Sequence, residues 1–151
     1  MRIRRAFSFT ELLLTVMLIG MLARIAIPRY HEMKLRATAA AIVGDVHAIR
    51  VAAFTHYTEK GSFPPDAATG ALPAELVSSL PAGFSFDRPD FEYDWHVWST
   101  TNAAGDTETL VGITVLVSDA RLATRLVMAA GAGYIPVVTP SQVTFLVSSS
   151  S

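Results

Sequence analysis

Apolar and polar positions divide the chain into two regimes. From Phe7 to Ile27 the residues are overwhelmingly apolar, interrupted only by the charges of Glu11 and Arg24. This stretch of 21 residues would extend roughly 30 Å as a helix, enough to cross the hydrocarbon core of a bilayer. Pro28 lies inside what otherwise reads as one long helix. It removes a backbone hydrogen bond, so a bend or a local melt is expected there. Beyond it Leu35, Ala39, Ile42, Val46, Ile49 and Ala53 recur at alternating spacings of four and three, with Arg36, Asp45, His47 and Arg50 off the stripe. That is the pattern of an amphipathic helix with one face in water. Ala37, Ala39, Ala40 and Ala41 suit it to close packing against a sheet or neighbouring helices. Gly61 is placed to cap it, and Pro64 and Pro65 to stop the chain from continuing it.

The remainder alternates instead. Ala71 to Leu80 is expected as a short helix bounded by Pro81 and Gly83. Phe91 to Trp98 predicts a strand with Phe91, Tyr93, Trp95 and Val97 on one face. The turn-rich residues from Thr101 to Asp106 lead to a second strand, Thr107 to Val117, completing a hairpin. Ser118 is placed to cap a helix from Asp119 to about Ala130, stopped by Gly131 and Gly133. Tyr134 to Val138 and Gln142 to Val147 predict two further strands. Pro136 and Pro140 favour an edge position for the first of these. Ser148 to Ser151 is expected to fray. The fold class this predicts is α+β, a long N-terminal helix whose second half packs against a small antiparallel sheet of about four strands.

Composition adds limits. At 151 residues and 16.3 kDa the chain is sized for one domain, or one domain plus an appendage, which argues against a multidomain enzyme. Hydrophobic residues at 51% and charged residues at 17% are enough to fill a core and too few in charge for a disordered chain. The net charge of -1 gives no global attraction to nucleic acid, and none is expected as a partner. With no cysteine, disulfides, thiol catalysis and thiolate metal sites are excluded. The charges are unevenly placed, however. Arg2, Arg4 and Arg5 crowd the first six residues, and such basic ends stay cytoplasmic during membrane insertion, which would send everything after Pro28 to the other side.

Glu11 is the residue that an ordinary secretory signal leaves unexplained. The uncharged run from Leu12 to Ala23 has the length of a signal-peptide core, but Arg24 spoils the small-x-small cleavage site that should follow. Ala6-Phe7-Ser8-Phe9-Thr10-Glu11-Leu12-Leu13, followed by Leu18-Ile19-Gly20-Met21-Leu22-Ala23 and Ile25-Ala26-Ile27-Pro28, resembles the N-terminal signal of type IV pilins and type II secretion pseudopilins. The resemblance covers about the first thirty residues. It implies cleavage by a prepilin peptidase between Ala6 and Phe7, N-methylation of Phe7, retention of the hydrophobic segment and assembly with homologous subunits on an inner-membrane platform. The organisation implied is a cleaved leader (1–6), a transmembrane and assembly helix (7–28), its amphipathic continuation (29–60) and an α+β head (61–151). The head would be periplasmic, and the assembled subunit would belong to a pseudopilus or a surface pilus. Two positions depart from the family pattern: Ala6 stands where glycine is the rule, and Arg24 where the family is usually apolar.

Physical chemistry supplies a role for Glu11 in that setting. A freed Phe7 amine is positive, and a carboxylate four residues along can pair with the amine of a neighbouring subunit. A buried pair is tolerable where a lone buried charge is not. The alternative is simpler, a carboxylate favoured at a helix start by the helix dipole.

Other chemistry is sparse. His31, His47, His56 and His96 show no metal-binding spacing. Asp87, Asp90, Glu92 and Asp94 form a small acidic cluster, a weak calcium candidate, with Glu92 and Asp94 expected on a solvated strand face. No nucleophile elbow or phosphate-binding glycine loop occurs, and neither a catalytic role nor a cofactor is expected. The lack of cysteine, with the small head, favours a secretion pseudopilin over a fimbrial or competence pilin. A reading of another class is a membrane-tethered or secreted binding module with Trp95 and Trp98 as ligand contacts.

Overall fold

The computed structural model describes residues 7–101, 105, 107–134 and 136–150. They form two compact units, one ending at Lys34 and the other beginning at Leu35. Helix α1 (Phe9–Lys60, 52 residues) makes up nearly all of the described residues of the first unit and opens the second. It is helical through Pro28, so the local melt expected there does not occur. The proline ring leaves only the carbonyl of Arg24, four residues back, without its donor, and the turns on either side carry the geometry across. Up to Lys34 the helix buries almost nothing, with Leu12, Val16 and Ile19 exposed by 52%, 61% and 65%. It is long and apolar enough to cross a membrane.

In the second unit α1 contributes the stripe that its periodicity predicts. Ala39, Ile42, Val46, Ile49 and Ala53 are buried, joined by Ala52, with Leu35 packed at the margin. The helix ends at Lys60. The amide of Gly61, whose φ is +75°, donates to the Tyr57 carbonyl at 2.8 Å, the left-handed cap that glycine adopts without steric cost.

The sheet has five antiparallel strands, β1 (Asp87–Arg88), β2 (Phe91–Thr101), β3 (Thr107–Val117), β4 (Pro136–Thr139) and β5 (Gln142–Ser150), in the order β1-β2-β3-β5-β4. The two-residue β1 is the strand that the hydrophobic pattern missed. The β2–β3 hairpin is in register from Phe91 opposite Val117 to Thr101 opposite Thr107. Strand β4 lies at the edge, as its proline requires. Ser148, Ser149 and Ser150 pair with Val111, Leu110 and Thr109, so the expected fraying is corrected: the edge of β3 needs partners for its amides and carbonyls, which overrides the weak strand preference of serine. Ser151 lies outside the described residues.

One sheet face meets the helices. Tyr93, Trp95, Ile113 and Phe145 form a single core with the α1 stripe and with Leu122 and Leu126 of helix α2 (Ala120–Ala130). The cap of α2 is Asp119 rather than Ser118. Its Oδ1 accepts the Arg121 amide at 2.9 Å, while Ser118 Oγ donates to the Asp90 carbonyl. Hydrogen bonds from the Arg121 side chain and backbone hold the Asp119 carboxyl below its ordinary value of 3.8. This capping contribution is complete above that value and fades as the pH falls beneath it. The segment expected as a short helix is a 3-10 turn, Ala74–Ser79, since Pro73 and Pro81 leave too few residues for α-helical hydrogen bonds.

Two contacts lock the sheet to its surroundings. The Tyr93 hydroxyl donates to Asp45 Oδ2 on α1 at 2.8 Å, and Arg88 of β1 approaches the same oxygen at 3.4 Å. Burial first, and then that hydrogen bond, push the Tyr93 phenol far above its ordinary value. Stability from the protonated phenol is therefore complete below pH 10 and declines as the pH rises past it. Tyr93→Phe should lower unfolding free energy by about 1 kcal/mol, read from urea denaturation, because Asp45 keeps Arg88 as a partner. The second contact is a strap, residues 64–70, running along the β2 edge beyond β1. Ala67 and Gly70 amides donate to the carbonyls of Trp95 (3.3 Å) and Tyr93 (2.9 Å), and Trp95 Nε1 donates to the Pro64 carbonyl at 3.2 Å.

Candidate assembly site

At the start of the described chain Phe7 is non-helical and 74% exposed. Ser8 precedes the first helical residue, and its backbone N–H donates to Glu11 Oε2 at 3.0 Å. The Leu12 amide returns to the Ser8 carbonyl at 3.2 Å, and the hydroxyls of Ser8 and Thr10 are 2.7 Å apart. Ser8-x-x-Glu11 is thus one half of a capping box, with the acidic side chain reaching back over the helix start. The spacing was readable in the sequence, and the dipole argument came close to it without naming the partner. The helix dipole favours the carboxylate here as well.

Phe7, Ser8 and Glu11 are therefore gathered within one turn, whereas Pro28 lies 17 residues beyond Glu11, about 26 Å along a helix. Arg24 is exposed, and the residues one turn either side of it, Gly20, Met21, Ile27 and Pro28, offer it no acid. Ala6 and the leader charges Arg2, Arg4 and Arg5 lie outside the described residues. What the described geometry provides chemically is one carboxylate at the tip of an exposed apolar helix, with its second oxygen available to a further donor.

The acidic residues of the head do not converge. Asp87 in β1 lies opposite Glu92 in β2, and both are exposed, as is Asp90 in the turn between them. Asp94, expected on the solvated face, is instead 5% exposed. Its Oδ2 accepts from Thr69 Oγ1 at 3.1 Å and lies 2.7 Å from His96 Nε2. The other ring nitrogen of His96 is 3.3 Å from Asp66 Oδ1, which also accepts the Val97 amide. A neutral imidazole carries one N–H, so both carboxylate contacts are hydrogen bonds only when the ring is protonated. This cluster fastens the strap to β2. Sequence reasoning missed it because Asp66 and Thr69 approach from 25 to 30 residues away. Its local signal was an Asp-x-His pair inside an otherwise aromatic strand. Among the described residues no group of three or more His, Asp or Glu side chains is placed to hold a metal ion.

The two tryptophans do not form a ligand platform. Trp95 is wholly buried in the core. Trp98 lies on the opposite face with its ring across Gly112, where a Cβ would come within 2.7 Å of the indole. Protein-family models, curated proteins and solved structures were all compared with this chain, and none matches it.

Proposed function

We propose that the protein is a non-enzymatic structural subunit of a type IV pilus-like filament, with a type II secretion pseudopilin as the favoured form. A prepilin peptidase would cut between Ala6 and Phe7 and methylate the new amine. The exposed apolar part of α1 would hold the subunit in the inner membrane with its head on the periplasmic side, until an assembly platform packs it against other subunits. The observation that supports this best is Glu11, a single carboxylate on the first turn of a helix that is otherwise uncharged up to Arg24. A charge in that position is costly in lipid or in a helix bundle unless another subunit brings it a cation. The freed Phe7 amine is that cation. The second unit, with its own buried core, supplies a head that stays folded in either location.

Mass spectrometry of the mature N-terminus tests this. The expected product begins with N-methyl-Phe7. A mature chain beginning near Ile25 or Ile27 would mean ordinary secretion and would refute the proposal.

A further inference from the structure

The last turns of helix α2 lie close to the part of α1 that opens the second unit. There Arg36 of α1 and Arg125, Met128 and Ala129 of α2 line an open pocket of about 260 Å³. The three α2 residues share a face because positions three and four apart on a helix are neighbours. Met128 is 66% exposed and Ala129 is exposed, while Arg125 is half-buried with its Nη1 3.8 Å from the Met128 sulfur. The core does not use this methionine, since the buried side of α2 is supplied by Leu122, Ala123, Leu126 and Ala130. The surface therefore joins an apolar tip to two guanidiniums, whose planar N–H donors suit phosphate oxygens.

Charge around the pocket has one sign. From Pro28 to Gly44 the sequence carries Arg29, Lys34 and Arg36 against the single acid Glu32, and the sequence of α2 carries Arg121 and Arg125 with no acid. The balance stays positive whichever of these are paired within the chain. The next acids along each helix are engaged elsewhere. Asp119 caps α2 and holds Arg121, and Asp45 accepts from the Tyr93 hydroxyl and lies beside Arg88.

Chain length supplies the partner. Arg36 follows Ile27, the end of the apolar segment, by nine residues, a rise of about 14 Å for that many helical residues. The headgroup layer takes up about 5–8 Å of this on each side of a bilayer, and the remainder is no more than about a screening length at physiological salt. Arg29, Tyr30 and Lys34, which fall in that interval, are the residue types that settle at headgroup level. A bilayer surface is thus the one polyanion that an anchored chain always has within reach.

We propose that the pocket of Arg36 and Arg125 docks on an anionic phospholipid surface. Each guanidinium pairs with a headgroup phosphate, and Met128 enters the boundary between headgroups and acyl chains. The docking presupposes the membrane-anchored subunit of the filament reading and gives it a second attachment, made by the head. Each arginine is worth about fivefold in the ratio of docked to undocked heads.

Because the chain has no cysteine, one reporter can be placed per molecule. The full chain carrying Ala129→Cys, labelled with a small fluorophore, is reconstituted singly in nanodiscs containing a trace lipid with a nitroxide on its headgroup. A chain labelled through Thr58→Cys, 22 residues beyond Arg36 and about 33 Å along the helix, is the distant reference. Equimolar phosphatidylglycerol and phosphatidylcholine should quench the Ala129 label at least about threefold more than phosphatidylcholine alone, and leave the Thr58 label unchanged. Arg36→Gln and Arg125→Gln should each lower the docked ratio about fivefold, whereas lysine at either position should preserve it. Salt at about 1 M, where the screening length falls to about 3 Å, should undock the unaltered head. Equal quenching in the two lipids, or quenching that survives both glutamine substitutions and salt, would overturn the docking. Displacement by inorganic phosphate at constant ionic strength would overturn it in favour of a site for free phosphate. Shielding of the label only when several chains share one disc would assign the surface to a second copy. A chain that does not co-elute with nanodiscs at all would overturn the membrane-anchored reading, and the docking with it.

Discussion

Chains carrying Glu11→Ala should insert into the membrane as well as the parent and assemble at least a hundredfold less. Removing one member of a buried ion pair leaves an uncompensated charge, in the proposed assembly the Phe7 amine, at a cost of about 3–5 kcal/mol. Each 1.4 kcal/mol is tenfold in an equilibrium. Insertion follows a different balance, because deleting a carboxylate makes an apolar segment easier to place in lipid. The same carboxylate also holds the Ser8 amide, and a second variant separates the two roles. Glutamine still serves in a capping box but carries no charge. Glu11→Gln should therefore keep the first turn of α1 intact and fail to assemble nearly as badly as Glu11→Ala. Filament yield after sedimentation is the measurement. If Glu11→Gln assembles normally, the side chain acts as a cap and the intersubunit pair does not exist.

The second large effect belongs to the head. Trp95→Ala should destabilise it by about 3–5 kcal/mol, the range for emptying a large aromatic site in a packed core. Trp95 is wholly buried, and its indole N–H is tied to the Pro64 carbonyl, so the variant both opens a cavity and loosens the strap. Against a total of about 5–15 kcal/mol for a domain, much of the margin disappears. Urea titration of the full chain in detergent micelles, followed by near-ultraviolet circular dichroism, gives the number. A change below about 1 kcal/mol would mean that the tryptophan is not packed as described. The N-terminal cleavage product should be unchanged, since Phe7 and Glu11 lie in the first unit and Trp95 in the second.

Helix α1 was readable in the sequence almost residue by residue, since a stripe at spacings of three and four leaves few alternatives. Tyr93 and Trp95 were likewise placed on the buried face by simple alternation. The failures share one cause, contacts made from far along the chain. Asp94 looks solvated because alternation places it opposite Trp95, and only the strap from Pro64 to Gly70 buries it. Ser148 to Ser150 look like a tail because serine favours no element, and only the open edge of β3 recruits them. Ser118 and Asp119 are both good caps, and a one-residue choice between them lies below what pattern can resolve. Of the candidate site, Glu11 stood out as a charge without a local reason. Its bond to the Ser8 amide follows from the three-residue spacing.

The strap has a bearing on how copies of the protein can meet. Together with the two residues of β1 it occupies edge hydrogen-bonding groups of β2 from Phe91 to the Val97 amide, and the opposite border of the sheet is only four residues long and begins with a proline that has no N–H. Neither border is a good template for strand addition from another molecule. Copies crowded side by side are thereby discouraged from fusing into a cross-β ribbon.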